Sequence, residues 1–420
     1  MLQIRVQSGD FAAALARPRT PPSARVPPEP NVRDQPLAFS RPTLEAEEIE
    51  AVSAVLRSGW ITTGPRTAEF EALFRERLSA PHAIAVNSAT AGLHLAVATL
   101  DLEPGDEVIV PSLSWATTAN VVELCGGRPV FADVERDTLN LDPEDVKRRM
   151  GPRTRAILPV HFAGQPADLD ALRGLAAERR IPVIEDAAHA IGAAHRGVEI
   201  GASGEVVVFS FHPIKNVTTG EGGMVICRDD ARAQRVRLLS FHGVSKNAWS
   251  RYERGSPPQY DVLEPGFKYN MMDIQAALGL CQMRKLERFN RRRAELAARY
   301  DALLRELPEL EPLGRVDYPV EHAWHLYIVR LDLDAVTLDR NAFMQALGER
   351  RIGTGLHFVP LHLTRWYRER YGHARGDLPR TEYNGDRILS LPLHPGLEDS
   401  DVHDVVEALR DVIAAHRRPR

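Results

Sequence analysis

Cysteine is scarce in this chain of 420 residues, with only Cys125, Cys227 and Cys281 and no C-x-x-C pair. That pattern gives no disulfide framework and no thiolate metal site, and it fits a reducing, cytoplasmic setting. No apolar run approaches the roughly 20 residues that a bilayer span requires, so no membrane segment is expected. The net charge of −4 lacks the basic excess of a nucleic-acid or membrane-surface binder. Lysine is the most telling shortage. Of 53 basic residues only Lys147, Lys215, Lys246, Lys268 and Lys285 are lysines, and the other 48 are arginines. Arginine neither loses its proton near neutral pH nor forms an imine, whereas lysine does both. A lysine retained here therefore invites a search for a position that needs an amine. Lys147, beside Arg148 and Arg149, and Lys285, in a basic helix, read as solvated surface charges.

What remains is ordinary for a globular protein, with 44% hydrophobic and 26% charged residues and enough length for two or three domains. Residues 1–36 differ in kind. They are rich in Pro, Arg and Ala and lack the 7–15-residue apolar core of a secretory signal. They read as a disordered tail, or as a start codon placed too early. From Phe39 onward the pattern becomes regular. Thr43 has the place of an N-cap, followed by acidic residues in the first turn of a helix to about Arg57. Trp60 sits in a glycine-bracketed loop, Ser58–Pro65, ahead of a second helix from Thr67 to about Leu78.

The short strand Ala83–Val86 leads through Asn87–Gly92 into an apolar helix ending at Leu100. A small-residue turn at a helix N-terminus leaves N–H groups free for an anion. Apolar strands follow at Glu107–Pro111, Pro129–Val134, Ala156–Val160 and Pro182–Glu185, separated by helical stretches. This alternation predicts an α/β fold with a mostly parallel sheet and helices on both faces. Residues 37–299 are assigned to this large domain. Residues 300–420 are assigned to a smaller C-terminal α+β domain, with a strand at Leu326–Leu331, a helix at Asn341–Arg350, a loop at 353–358 entering a strand, and a final helix from about Asp399 to Ala415. Ligands of parallel sheets bind outside the carboxyl ends of the strands. That rule sets Ser88–Ala91, Trp115, His161, Asp186, His189 and Lys215 along one rim.

Two residues on that rim carry chemistry. Glu205–Gly223 reads as a buried strand ended by Pro213, with Lys215 presented at its end before a Gly-rich turn. A lone amine in that position can hold an aldehyde cofactor as a Schiff base. Asp186 ends the preceding strand, where a carboxylate serves either as a turn cap or as the partner of a cationic ring nitrogen. Neighbouring Glu185 reads as structural.

The segments Glu185–His189, Ser210–Asn216 and Gly220–Gly223 resemble the pyridoxal-phosphate core of the DegT/DnrJ/EryC1/StrS sugar aminotransferases. Ser58–Pro65, Ser88–His94, Gly266–Asn270 and Gly353–Phe358 extend the resemblance over about residues 37–415. It is closest to the UDP-4-amino-4-deoxy-L-arabinose aminotransferases. The resemblance implies a type I aminotransferase fold, a homodimer with shared active sites, and pyridoxal 5′-phosphate (PLP) joined to Lys215. It further implies Asp186 at the pyridine nitrogen, Trp115 on the ring, His189 near the ring hydroxyl, and Thr90, Ala91 and Ser210 at the phosphate. Lys268 and Asn270 would serve the partner's cofactor or substrate, Thr62 and His357 would line the substrate side, and no metal is implied. Many relatives have Gln in place of His189 and Asn-Tyr-Arg in place of Lys268–Asn270. A sugar-dehydrating branch carries His in place of the lysine, and Lys215 speaks against it. The implied reaction moves an amino group from L-glutamate, leaving 2-oxoglutarate, to a nucleotide-linked 4-keto sugar. Amination at another keto position, dehydration, and a non-catalytic regulator on the same fold are the alternatives.

Overall fold

The computed structural model describes residues 33–245 and 259–419. Its large sheet has seven strands: β1 (His82–Val86), β2 (Glu107–Pro111), β3 (Arg128–Ala132), β4 (Thr154–Ile157), β5 (Ile184–Asp186), β6 (Val206–Ser210) and β7 (Gly223–Cys227). The ladders run β1-β7-β6-β5 and β4-β2-β3, joined by parallel bridges from Ile157 to Val183 and from Val160 to Asp186. All neighbours are parallel except β7, which is antiparallel to both β1 and β6. The expected mostly parallel sheet is therefore present. The central strands are buried on both faces, and β6 and β7 are apolar at nearly every position, as strands covered by helices must be. The helix Ala89–Ala98 buries Ala91–Val97 against this sheet.

Strand and helix ends differ from expectation by a few residues. The strand expected at Pro182–Glu185 is Ile184–Asp186, so Asp186 itself closes the ladder. The first helix spans Ala46–Ser58 and its N-cap is Glu45 rather than Thr43. Glu48 accepts from the Glu45 N–H at 2.8 Å, completing a capping box with glutamate in place of the usual hydroxyl.

Lys285 overturns its assignment as a solvated charge. The long helical stretch breaks there, into Asp273–Arg284 and Leu286–Leu303, and the lysine is buried. Its Nζ lies 2.6 Å from Glu48, 2.9 Å from Glu45 and 3.5 Å from Glu47. The acidic first turn of one helix is thus neutralised by a lysine 237 residues further on.

The smaller body holds an antiparallel sheet of β8 (Leu310–Pro312), β9 (Tyr327–Leu331) and β10 (Ile388–Leu391), in that order. Helices Arg340–Glu349 and Asp399–His416, with the end of Leu286–Leu303, close its core. The strand expected after residue 358 is absent; Gly355 makes only an isolated bridge to Ser390. Residues 1–32 of the expected tail lie outside the described residues. Residues 33–37 lie against the small body: Arg33 pairs with Asp401 and Asp404, and Leu37 packs into the core there. In the other direction, Leu361, Tyr367 and Leu378 pack on the large sheet's core. The chain thus crosses between the bodies on both sides of the numerical boundary at 300. Among the described residues no helix is long and apolar enough to cross a membrane.

Removing Lys285 leaves Glu48, 2% exposed, without its cation. Lys285→Ala is expected to cost on the order of 2–3 kcal/mol, between the ranges for surface and buried pairs, read as a lowered urea midpoint. Lys147→Ala, at an exposed position, should leave the midpoint unchanged.

Candidate active site

The register of three strands builds the site. Val86 of β1 and Ser210 of β6 both face Gly223 of β7 in their ladders. The turn after β1 therefore runs beside the end of β6. Gly223 has no alternative there, because a Cβ would lie 2.8 Å from Ala89 N and from the Ser88 carbonyl carbon. Ser88 caps the helix Ala89–Ala98, its Oγ accepting from Ala91 N at 3.1 Å. Gly92 already donates to the Ser88 carbonyl, which leaves the N–H groups of Ala89 and Thr90 as the first-turn donors.

These elements open onto a cavity of about 360 Å³ at the carboxyl ends of the strands. Among its lining residues are Thr90, Trp115, Asp186, His189, Ser210, Lys215 and His357, all singled out by sequence. Trp115 is 64% exposed, an indole face with little protein against it. Ala91 is buried outside the lining, and its N–H is consumed by Ser88. The first-turn N–H groups left free toward the cavity are therefore those of Ala89 and Thr90. His161 also leaves the rim. It is fully buried, with Nδ1 accepting from Ala167 N and Nε2 at 3.2 Å from Glu185. Glu185, held by Arg173 as well at 2.7 Å, is structural as expected.

Thr62, Lys268 and Asn270 do not line this cavity. Lys268 and Asn270 form a separate cluster with Thr63, in which the Asn270 amide donates to Thr63 Oγ1 at 2.6 Å and Lys268 donates to Asn270 Oδ1 at 2.7 Å. The Thr62 carbonyl accepts from Asp273 N. Sequence reading missed His325 and Phe358. His325 Nε2 is 3.5 Å from Lys215 Nζ, and Phe358 stacks near the His189 ring with centroids 6.0 Å apart. The doubled histidine of His322–His325, just before β9, was the available signal.

Burial dominates the electrostatics. It pulls the Lys215 amine down to about 8, against the opposing charge of Asp186. An amine so tuned exchanges protons readily near neutral pH. Burial pushes the Asp186 carboxyl up, offset by the Ala188 N–H at 3.0 Å and by Lys215. His189 and His325 are driven well below the usual histidine range and His357 to about 3, each by burial first, so His189 and His357 face the cavity neutral and His325 stands neutral behind Lys215. Among the described residues no arginine lines the cavity, despite the 48 in the chain.

Comparison with known proteins gives consistent likenesses. The sequence profile described as the DegT/DnrJ/EryC1/StrS aminotransferase family matches residues 42–410. Spr1654 of Streptococcus pneumoniae, in its PMP form, is 32% identical, with a TM-score of 0.84 over 90% of this chain and 99% of that one; it is also known in a PLP form. The sugar aminotransferase CalS13 of Micromonospora echinospora is 34% identical, with a TM-score of 0.78 over 89% and 98%. DesI, solved in the presence of its TDP-sugar product, is 32% identical, with a TM-score of 0.80 over 91% and 94%. The fold is accordingly that of the type I aminotransferases.

The Ala188 contact lets the two readings of Asp186 be separated. Asn keeps an oxygen for the turn but loses the charge. Asp186→Asn is expected to melt within a few degrees of the parent while losing at least 100-fold in amine transfer. Activity within a few-fold of the parent would leave only the turn role.

Proposed function

Because the chain belongs to the DegT/DnrJ/EryC1/StrS aminotransferase family, whose members use PLP, we propose that it moves an amino group from L-glutamate to a nucleotide-linked 4-keto sugar. The observation that carries this reading is the joining of Lys215, held near a pKa of 8, and Asp186 in one cavity at the sheet's carboxyl rim.

The residues present fit the cofactor. His189 Nδ1 is buried and without a hydrogen-bond partner among the described residues, as expected of a group kept for a ligand hydroxyl. The N–H groups of Ala89 and Thr90 with the hydroxyls of Thr90 and Ser210 suit a phosphate, Trp115 suits the ring face, and Asp186 suits a protonated ring nitrogen. When bound, PLP supplies the electron sink for the charge left as a C–H bond breaks. The chain's own task is then proton handling. The Lys215 amine takes a proton from the donor's α-carbon side and returns one to the acceptor's carbon. Buried Asp186 holds its charge at the far end, where low dielectric magnifies it. The neutral histidines and Phe358 keep bulk water from the transferring proton.

The acceptor assignment draws on DesI, which binds a TDP sugar, and on the resemblance noted in the sequence. A diphosphate and a dicarboxylate call for several cations, and among the described residues Lys215 is the one lysine or arginine that lines this cavity. A homodimer in which Lys268 and Asn270 reach the partner's site, with Thr62 on the substrate path, would supply more of them, and the scarcity of cysteine supports action in the cytoplasm.

Three measurements test this. Glutamate should convert the holoenzyme's visible band to a shorter-wavelength form. Among nucleotide keto sugars, only some should restore it, with an amino sugar as product; no conversion with glutamate would remove the donor assignment. Borohydride should fix the cofactor on Lys215, and Lys215→Arg should be as inactive as Lys215→Ala, because charge alone forms no imine. A label on Lys246 or Lys268 would overturn the assignment. Finally, mixing inactive Lys215→Ala with inactive Lys268→Glu should recover about a quarter of parental activity, since half the dimers are mixed and each carries one intact site. With subunit exchange verified, no recovery would refute the sharing.

A further inference from the structure

Behind Lys215 lies a run of polar side chains that the reaction as described does not use. His325 Nε2 faces Lys215 Nζ at 3.5 Å, and His325 Nδ1 lies 3.2 Å from Asn216 Oδ1. Asn216 Nδ2 lies 2.6 Å from the Ala323 carbonyl oxygen and 2.7 Å from Asn290 Oδ1. Asn290 Nδ2 in turn lies 3.0 Å from the Ile191 carbonyl oxygen. Gly192 makes room for it, since a Cβ there would sit 2.6 Å from Asn290 Nδ2.

Proton bookkeeping along this run has one solution. Carbonyl oxygens accept only, so the Asn290 atom facing Ile191 and the Asn216 atom facing Ala323 must both be amide nitrogens. Asn216 therefore turns its oxygen to His325, and an oxygen accepts only. His325 must carry its proton on Nδ1. Its ring is neutral, because burial and the nearby Lys215 charge both oppose protonation. Nε2 is left as a bare lone pair aimed at the lysine.

We propose that Asn290 and Asn216 are positioning residues that fix the tautomer of His325, so that its Nε2 always accepts a hydrogen bond from the Lys215 amine. The proposal rests on the assignment of Lys215 as the reactive amine. Each time Lys215 is free between proton transfers, one N–H is tethered to His325 and the nitrogen lone pair is turned toward the cavity. The other tautomer would present an N–H to Lys215, force the amine to act as acceptor, and occupy the lone pair that the chemistry needs.

The test reads Lys215 itself rather than turnover. Full-length protein stripped of cofactor is treated with an amine-reactive label across pH, and Lys215 labelling is quantified by mass spectrometry against exposed Lys147. Among the described residues Asp186, His189, His357 and His325, with His212 and Glu221 elsewhere on the cavity wall, are the titratable groups around this amine, and of these only His325 is altered. An acceptor favours the ammonium form, so His325→Phe should lower the labelling midpoint by about one unit. His325→Gln, whose amide oxygen reaches the place of Nε2, should hold it near the parent's. Asn216→Ala should shift the midpoint in the same direction as His325→Phe, and should add nothing in the His325→Phe background. Asn290→Ala, one bond further away, should act in the same direction more weakly and guards against a misfolded Asn216 variant. An unchanged midpoint in Asn216→Ala and Asn290→Ala, or an equal shift in both His325 backgrounds, would overturn the proposal. Borohydride trapping on Lys246 or Lys268 would remove its premise separately.

Discussion

The site depends on a close backbone approach at Gly223. Strand β7 runs against its two neighbours and pairs Val86 and Ser210 with the same glycine. Only a residue without a side chain lets the turn at Ser88–Ala89 settle on that strand. From this one contact follow the position of the helix N-terminus, the placing of the Ser210 hydroxyl beside it, and the exit of the chain toward Lys215. The sheet's single antiparallel strand is what brings a turn from the edge of the sheet next to the end of its centre.

Once placed, the lysine is governed by desolvation. Three neutral histidines and Phe358 surround it, and Asp186 is the carboxylate that opposes the loss of its charge. Coulomb attraction between the two is strengthened by the same burial that penalises each alone. An exposed lysine would stay an ammonium, and an arginine would never be anything else. The retention of a lysine at position 215 has its reason here.

Arginine meanwhile takes up structural work in which a fork of donors is useful. Arg293 is buried and pulled down to about 9 by desolvation. It donates to the carbonyls of Trp324, His325 and Leu393, fastening the segment that carries His325 to the small body. Arg330 likewise ties β9 to Asp137 and Glu311. At Arg330 the two terminal guanidinium nitrogens reach the two carboxylates separately, whereas at Arg293 a single Nη1 meets all three carbonyls.

By itself the sequence determined what is local. Continuous apolar runs marked the strands, Pro213 and the glycines after it marked the strand end that carries Lys215, and Asp186 stood out at a strand terminus. Seven of the residues that line the cavity, from Thr90 to His357, were legible from such signals and from the family resemblance. What only the tertiary structure decided are pairings without a local signature. Lys215 meets His325 across 110 residues, and Lys285 enters a glutamate cluster 237 residues away. The Ala91 N–H is withheld from the cavity because the Ser88 hydroxyl takes it. His161 turned from the rim because Glu185 offered it a buried partner. Periodicity reports which face of an element is buried, whereas the atom that finally meets a given donor depends on how those faces are stacked.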